Sequence, residues 1–291
     1  PTRIARTAIG ALVQDLVLPR LVNRDAEAEF RGGTGTVVNV RIPGTITGGG
    51  ARTYTQTLRD ANTPIVLDRL AETTIPVAMG PEIYKGVPVT DDDFTFELTD
   101  FNSQVLDPLV RVVGQGAEAV LVNELNSFTA DATITPALDG SDLHEALIEA
   151  RMVLNKRAVP LESRVLAVSP EIEALMLKDE ANRLVRYDAS GSTEALRNAT
   201  IGRLYGMPVV VAMEMTANSL MIFDRDAFTF AMRAPIVPSG VPFGSSVSYQ
   251  GLALRFIRDY DPAFLQDRAI VSTFAGAETL DANRAIRLVA A

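Results

Sequence analysis

Residues 44–63 read GTITGGGARTYTQTLRDANT, a stretch that cannot build a core. Three consecutive glycines are costly to order, and the many threonines leave few large apolar side chains to bury. Strand-forming sequence flanks the stretch on both sides. From Thr36 to Ile42 the chain alternates, with Val38, Val40 and Ile42 on one face and Val37, Asn39 and Arg41 on the other. Strand-like patterns resume over Pro64 to Met79 and again at Phe94, Phe96 and Leu98, with Asp91, Asp92 and Asp93 as an acidic corner between them. The segment must therefore leave the body as a long loop or an extended two-stranded excursion. Loops this long inside compact domains are usually functional or disordered.

The rest of the chain supplies the body. Residues 4–18 show an amphipathic helical pattern in which Leu12 and Leu16 stand in one apolar row, and Pro19 ends or kinks it. A charged stretch and Gly32-Gly33 follow, so residues 1–33 read as an N-terminal arm whose apolar stripe needs a partner surface. Asp107 as N-cap and Pro108 at the first helical position open a long helix. Leu109, Val110, Val113, Ala117, Val120, Leu121, Leu125 and Phe128 recur along it at helical spacing, over about 31 Å. A preceding turn from about residue 103 would lengthen it, with Pro108 as the kink.

Residues 129–140 read as a linker. Leu143, Ala146, Leu147, Ala150 and Leu154 then mark an amphipathic helix. Arg164–Val168 reads as a strand, and Ser169-Pro170 opens a short helix ending near Lys178. Asp188 begins a polar loop. Strands are expected at 209–211, 220–223 and 228–232, a Pro/Gly/Ser-rich crossing loop at 234–248, and strands again at 252–260, 269–274 and 285–289. The economical organisation is an α+β chain with an outer unit (34–135 with 250–291) and an inserted unit at about 136–249.

Composition excludes most chemistry. The 291 residues include no Cys and one His, His144, which removes disulfides, thiolate nucleophiles, Cys/His zinc sites and any triad not using that histidine. His144 lies near a helix start and reads as an ordinary surface or interface residue. Asp91, Asp92 and Asp93 lack the spaced ligands and glycine of a calcium loop, and Gly48-Gly49-Gly50 lacks phosphate-loop spacing. No catalytic, cofactor or metal site is expected. The net charge of −9 and the absence of a basic run argue against a nucleic-acid reader, though not against a container for DNA. No apolar window reaches membrane-span length, and no signal pattern opens the sequence, so a soluble chain of the cell interior is expected. Of 27 basic residues only Lys85, Lys156 and Lys178 are lysines, either because arginine suits interfaces or because the genome is GC-rich.

The element order, together with Asp15-Leu-Val-Leu-Pro-Arg-Leu-Val-Asn, Thr36-Val-Val-Asn-Val-Arg-Ile-Pro, Phe94-Thr-Phe-Glu-Leu-Thr-Asp, Ile201-Gly-Arg-Leu-Tyr-Gly-Met-Pro-Val and Leu254-Arg-Phe-Ile-Arg-Asp-Tyr-Asp, resembles the Hong Kong 97-type major capsid proteins of tailed bacteriophages. The likeness implies a shell subunit, not an enzyme, that assembles as hexamers and pentamers in the bacterial cytoplasm and ends in the virion around double-stranded DNA, which it does not read. It implies that residues 44–63 are an extended loop reaching over a neighbour, that about 103–128 is the spine helix of a peripheral domain, and that 136–249 is the axial domain. Scaffolding, portal and decoration proteins are the partners it implies. Some members lock their shells through a Lys–Asn bond, but residues 44–63 hold no Lys. An encapsulin-type compartment enclosing cargo enzymes shares the fold and is the alternative.

Within that reading Arg52, Tyr54 and Arg59 are the expected contacts of the extended loop, and Leu12 and Leu16 those of the N-terminal arm. Residues 64–100 carry eight acids against Arg69 and Lys85, so Asp91, Asp92 and Asp93 would offer an acidic surface to a neighbour's Arg52 and Arg59. The other reading is two independently solvated faces. Tyr54 is either an anchor on the neighbour or satisfied within its own loop.

Overall fold

The computed structural model describes residues 17–30, 35–47, 51–92, 101–129, 131, 143–178, 202–241, 243–249 and 252–289. The predicted helix at 4–18, including Leu12 and Leu16, lies almost wholly outside these residues. So do the predicted strand at 94–98, most of the 129–140 linker and the loop at Asp188.

Strands β1 (Val37–Thr47) and β2 (Arg69–Ala78) pair antiparallel as a two-stranded sheet that joins no other sheet among the described residues. Their register slips between Ile42 and Thr45, where Pro43 has no N–H to give the ladder. Between the two strands lie residues 51–68, with the short helix α1 (Gln56–Asp60), so most of the stretch expected at 44–63 stands at the far end of the hairpin and not in its ladder.

Strand β3 (Ile83–Thr90), which the sequence pattern did not reveal, follows. A π-helical turn, Asn102–Leu106, then runs without a break into α2 (Asp107–Ser127). The expected N-cap at Asp107 is not one. Leu106 before it already has helical backbone angles, and the wider π turn accommodates Pro108, which has no amide hydrogen and needs clearance from the preceding turn. Next come α3 (Leu143–Lys156), β4 (Arg164–Val168) and α4 (Pro170–Lys178). The strands β5 (Arg203–Leu204), β6 (Met207–Val211), β7 (Ser219–Asp224) and β8 (Phe228–Arg233) follow. The chain continues with β9 (Phe243–Tyr249), β10 (Leu252–Asp261), β11 (Gln266–Thr279) and β12 (Ala285–Val289).

Two five-stranded sheets form the body. One runs β3-β11-β10-β9, with β8 also pairing β11; the other runs β12-β7-β4-β6-β5. The strand order corrects the expected boundary at 249/250. Strands β8 and β9, assigned to the inserted unit, belong with β10 and β11, whereas β12, assigned to the outer unit, closes the inserted sheet beside β7. The predicted crossing loop at 234–248 also shortens, because Phe243–Tyr249 pairs along β10.

Side-chain alternation ties the layers together. Val165, Ala167, Met221 and Phe223 face a core shared with Leu109, Val113, Leu121 and Leu125 of α2 and with Phe228, Phe230 and Phe256. Their alternates Leu166, Val168, Leu220 and Ile222 face a second core with Leu143, Leu147 and Leu154 of α3 and Ile172 of α4. Strands β4 and β7 are thus buried on both faces, and therefore read as continuous apolar runs.

The N-terminal arm is shorter than predicted. Leu18, Val22, Ala26 and Phe30 are buried in the body. Asn23 donates its amide hydrogen to Phe228 O (3.1 Å) and accepts from Phe230 N–H (2.9 Å). Apolar side chains at this spacing behave as core wherever a surface is available, and residues 17–30 have one.

Candidate assembly surfaces

At the far end of the hairpin, two of the three loop residues singled out from the sequence, Tyr54 and Arg59, come together. Arg52 pairs with Asp68 at 3.0 Å, so the loop's basic charge is partly met within the same chain. The Tyr54 hydroxyl donates to Thr63 O at 2.6 Å, and the Arg59 guanidinium lies 5.8 Å from the centre of the Tyr54 ring. Gln56 Nε2 donates to Asp60 Oδ1 at 3.0 Å across one turn of α1. Of the two readings of Tyr54, the satisfied local contact is present in the single chain.

The same segment presents a feature that the sequence reading took for strand. Ile65, Val66 and Leu67 are 64%, 68% and 81% exposed and lie before β2, outside any strand. Among the described residues nothing covers these three consecutive apolar side chains, and an exposed apolar group of this kind is a candidate contact surface.

A second exposed group lies where the β10–β11 turn meets the end of β3. Phe264 and Leu265 are 71% and 63% exposed. Asp91 is tied here, accepting from the Tyr260 hydroxyl (3.0 Å) while its amide donates to Leu265 O (3.3 Å). The bond to Asp91 is the first cause that raises the Tyr260 phenol above its ordinary value. Asp92 is exposed, and Asp93 lies outside the described residues. Along the same hairpin Arg258 pairs with Asp267, and Arg268 with Asp259 and Asp261. The expected acidic surface is thus partly committed to its own chain.

The remaining polar groups of interest are structural. His144 Nδ1 lies 2.8 Å from the Tyr205 hydroxyl, with the two rings edge to face, so the histidine has a definite partner that its helix-surface position did not reveal. Glu118 on α2 accepts from Leu18 N–H at 3.0 Å where residues 17–30 begin. Its carboxyl is raised above the ordinary range, first by burial, against the lowering effect of the Leu18 and Val17 amides. Nothing in the sequence distinguishes Glu118, because its partner lies 100 positions away. Among the described residues no three His, Asp or Glu side chains could hold a metal ion together, and no helix is long and apolar enough to cross a membrane.

A projecting hairpin, two exposed apolar groups and a body sewn together by two shared cores define a shell-forming structural subunit. The phage capsid protein family matches residues 81–273, about two thirds of the sequence, and the chain belongs to that family. It is a structural component of a virion and not an enzyme. Solved structures agree on the fold. A Mycobacterium phage Che8 chain superposes with a TM-score of 0.66 at 18% identity, covering 94% of this chain and 90% of that one. The capsid of Ralstonia phage GP4 gives 0.62 at 13% identity, covering 93% and 87%. A virus-like particle from Pyrococcus furiosus gives 0.56 at 12% identity, covering 99% and 98%. A search of curated proteins finds no match. The architecture is the Hong Kong 97-type capsid fold.

Proposed function

We propose that the chain is the major subunit of a tailed-phage head, closing with copies of itself, as hexamers and pentamers, into an icosahedral shell around double-stranded DNA. The observation that carries this reading is the β1–β2 hairpin with its exposed Ile65, Val66 and Leu67. A hairpin that pairs with no other strand among the described residues and ends in unburied apolar residues is explained by a neighbour beneath it. Residues 44–63 hold no Lys, so a Lys–Asn bond using a lysine of this loop is not open to that contact. A scaffolding protein, a portal and a decoration protein are the further partners this role calls for.

Deletion of residues 46–58, joined by a short Gly/Ser turn, tests the role of the hairpin. The variant is expected to remain folded by circular dichroism and to form no closed shells by negative-stain electron microscopy under conditions where the unaltered chain forms them. Normal particles from the deletion would remove the hairpin from the assembly. A shell around protein cargo is the second reading, since the Pyrococcus furiosus virus-like particle shares the fold over nearly the whole of both chains. The family match favours the phage, and the nucleic acid content of purified particles separates the two.

A further inference from the structure

We propose that Gly276 is the pivot that sets the direction of the β1–β2 hairpin, and through it the curvature at which copies close into a shell. The inference rests on the assembly reading above and adds the residue that aims the arm.

Strand β11 changes neighbours at this point. It pairs with β3 up to Thr273, opposite Ile83, and with β8 from Phe274 onward, where Gly276 stands opposite Ala231. Beyond the start of β3, the flank of β11 is free to receive the base of the hairpin. Gly80 N–H donates to Ala275 O at 2.9 Å, and Met79 N–H closes the hairpin onto Thr36 O at 2.8 Å. A Cβ built on Gly276 would overlap the Ala78 carbonyl oxygen and stand 3.1 Å from its carbonyl carbon and 3.2 Å from Met79 Cα.

These neighbours are backbone atoms and cannot rotate away. Gly276 is not among the glycines with positive φ, so glycine is needed here for space and not for conformation. Among the described residues the hairpin base rests on a small cluster of Val38, Val77, Ala231, Ala26 and Phe30, with Val40 and Met79 packed against it. A side chain at 276 would therefore push the hairpin aside more readily than it would unfold the body. Yielding at the base tilts the arm, and the displacement grows along β2. Thr73, five residues from the end of β2, stands about 16 Å out at about 3.3 Å per residue and moves further than the base does. Repeated in every copy, such a turn changes the shell.

The test uses Gly276→Ala and Gly276→Ser, with Gly240→Ala as the control because a Cβ there meets nothing within 4 Å. The chain has no Cys, so Thr73→Cys and Asn123→Cys can be spin-labelled without background. The expected result is a folded subunit whose mean label-to-label distance shifts relative to the Gly240→Ala control, and particles of mixed diameter or open sheets in place of uniform shells. An unchanged distance overturns the pivot. A shifted distance with shells of normal diameter overturns its link to curvature. If the Gly276 variants do not fold, Gly80→Ala, whose Cβ would lie 3.1 Å from Ala275 O, makes the milder displacement and is judged by the same two outcomes. If the unaltered chain forms no shells, the assembly reading has failed, and the label distance alone decides the pivot.

Discussion

Glu118 is a carboxylate placed where burial works against its charge. Desolvation raises its pKa, the Leu18 and Val17 amides oppose the rise, and Glu214 adds to it. For an acid whose folded pKa lies above its unfolded value, the destabilisation is fully present above the folded pKa and disappears as pH falls toward the ordinary value of 4.5. Glu118→Gln keeps an oxygen for Leu18 N–H and removes the charge. It is expected to melt higher than the unaltered chain at pH 8, with the difference narrowing as pH falls toward 4.5; a difference independent of pH would show that charge burial is not the cause. Arg52, Tyr54 and Arg59 could be picked from the sequence because the stretch around them is compositionally abrupt. Glu118 and Gly276 could not. Their roles depend on Leu18 and on Ala78, which only the folded chain brings near.

Among the elements, the helices were the most legible. Every apolar position predicted for α3 is buried, because a 3.6-residue period survives any tertiary context that covers one face. Strands β3 and β9 were missed for a common reason. Both are edge strands, where Pro88 or a Ser-rich sequence is tolerated because one side of the backbone needs no partner. Within the arm expected over 1–33, residues 17–30 are packed as core. Removing residues 1–16 gives the reference truncation. Removing 1–24 also takes away Leu18 and Val22, each 1% exposed, and is expected to cost about 3–6 kcal/mol by denaturant titration, at about 1.5–3 kcal/mol per buried side chain. Equal stability of the two truncations would contradict the packing of residues 17–30.

For the molecule as a whole, the net charge of −9 means that like-charged copies must approach one another to form a shell. Screening shortens the reach of that repulsion from about 30 Å at 0.01 M salt to about 10 Å at 0.1 M. Shell yield measured by sedimentation is expected to rise across this range. A fall would mean that ion pairs between subunits outweigh the overall repulsion. The α+β class and the projecting hairpin were legible at this scale, but the division into units was not, because one sheet recruits strands on either side of a long intervening sequence. Strand β12 pairs with β7, which ends at Asp224, and the chain must reach Val289 before that edge is covered. At about 5–20 residues per second on the ribosome, the wait is roughly 3 to 13 s, during which β7 is an open sheet edge. A chain that stops short of β12 would keep that edge, and with it the tendency of an open strand to pair with other chains.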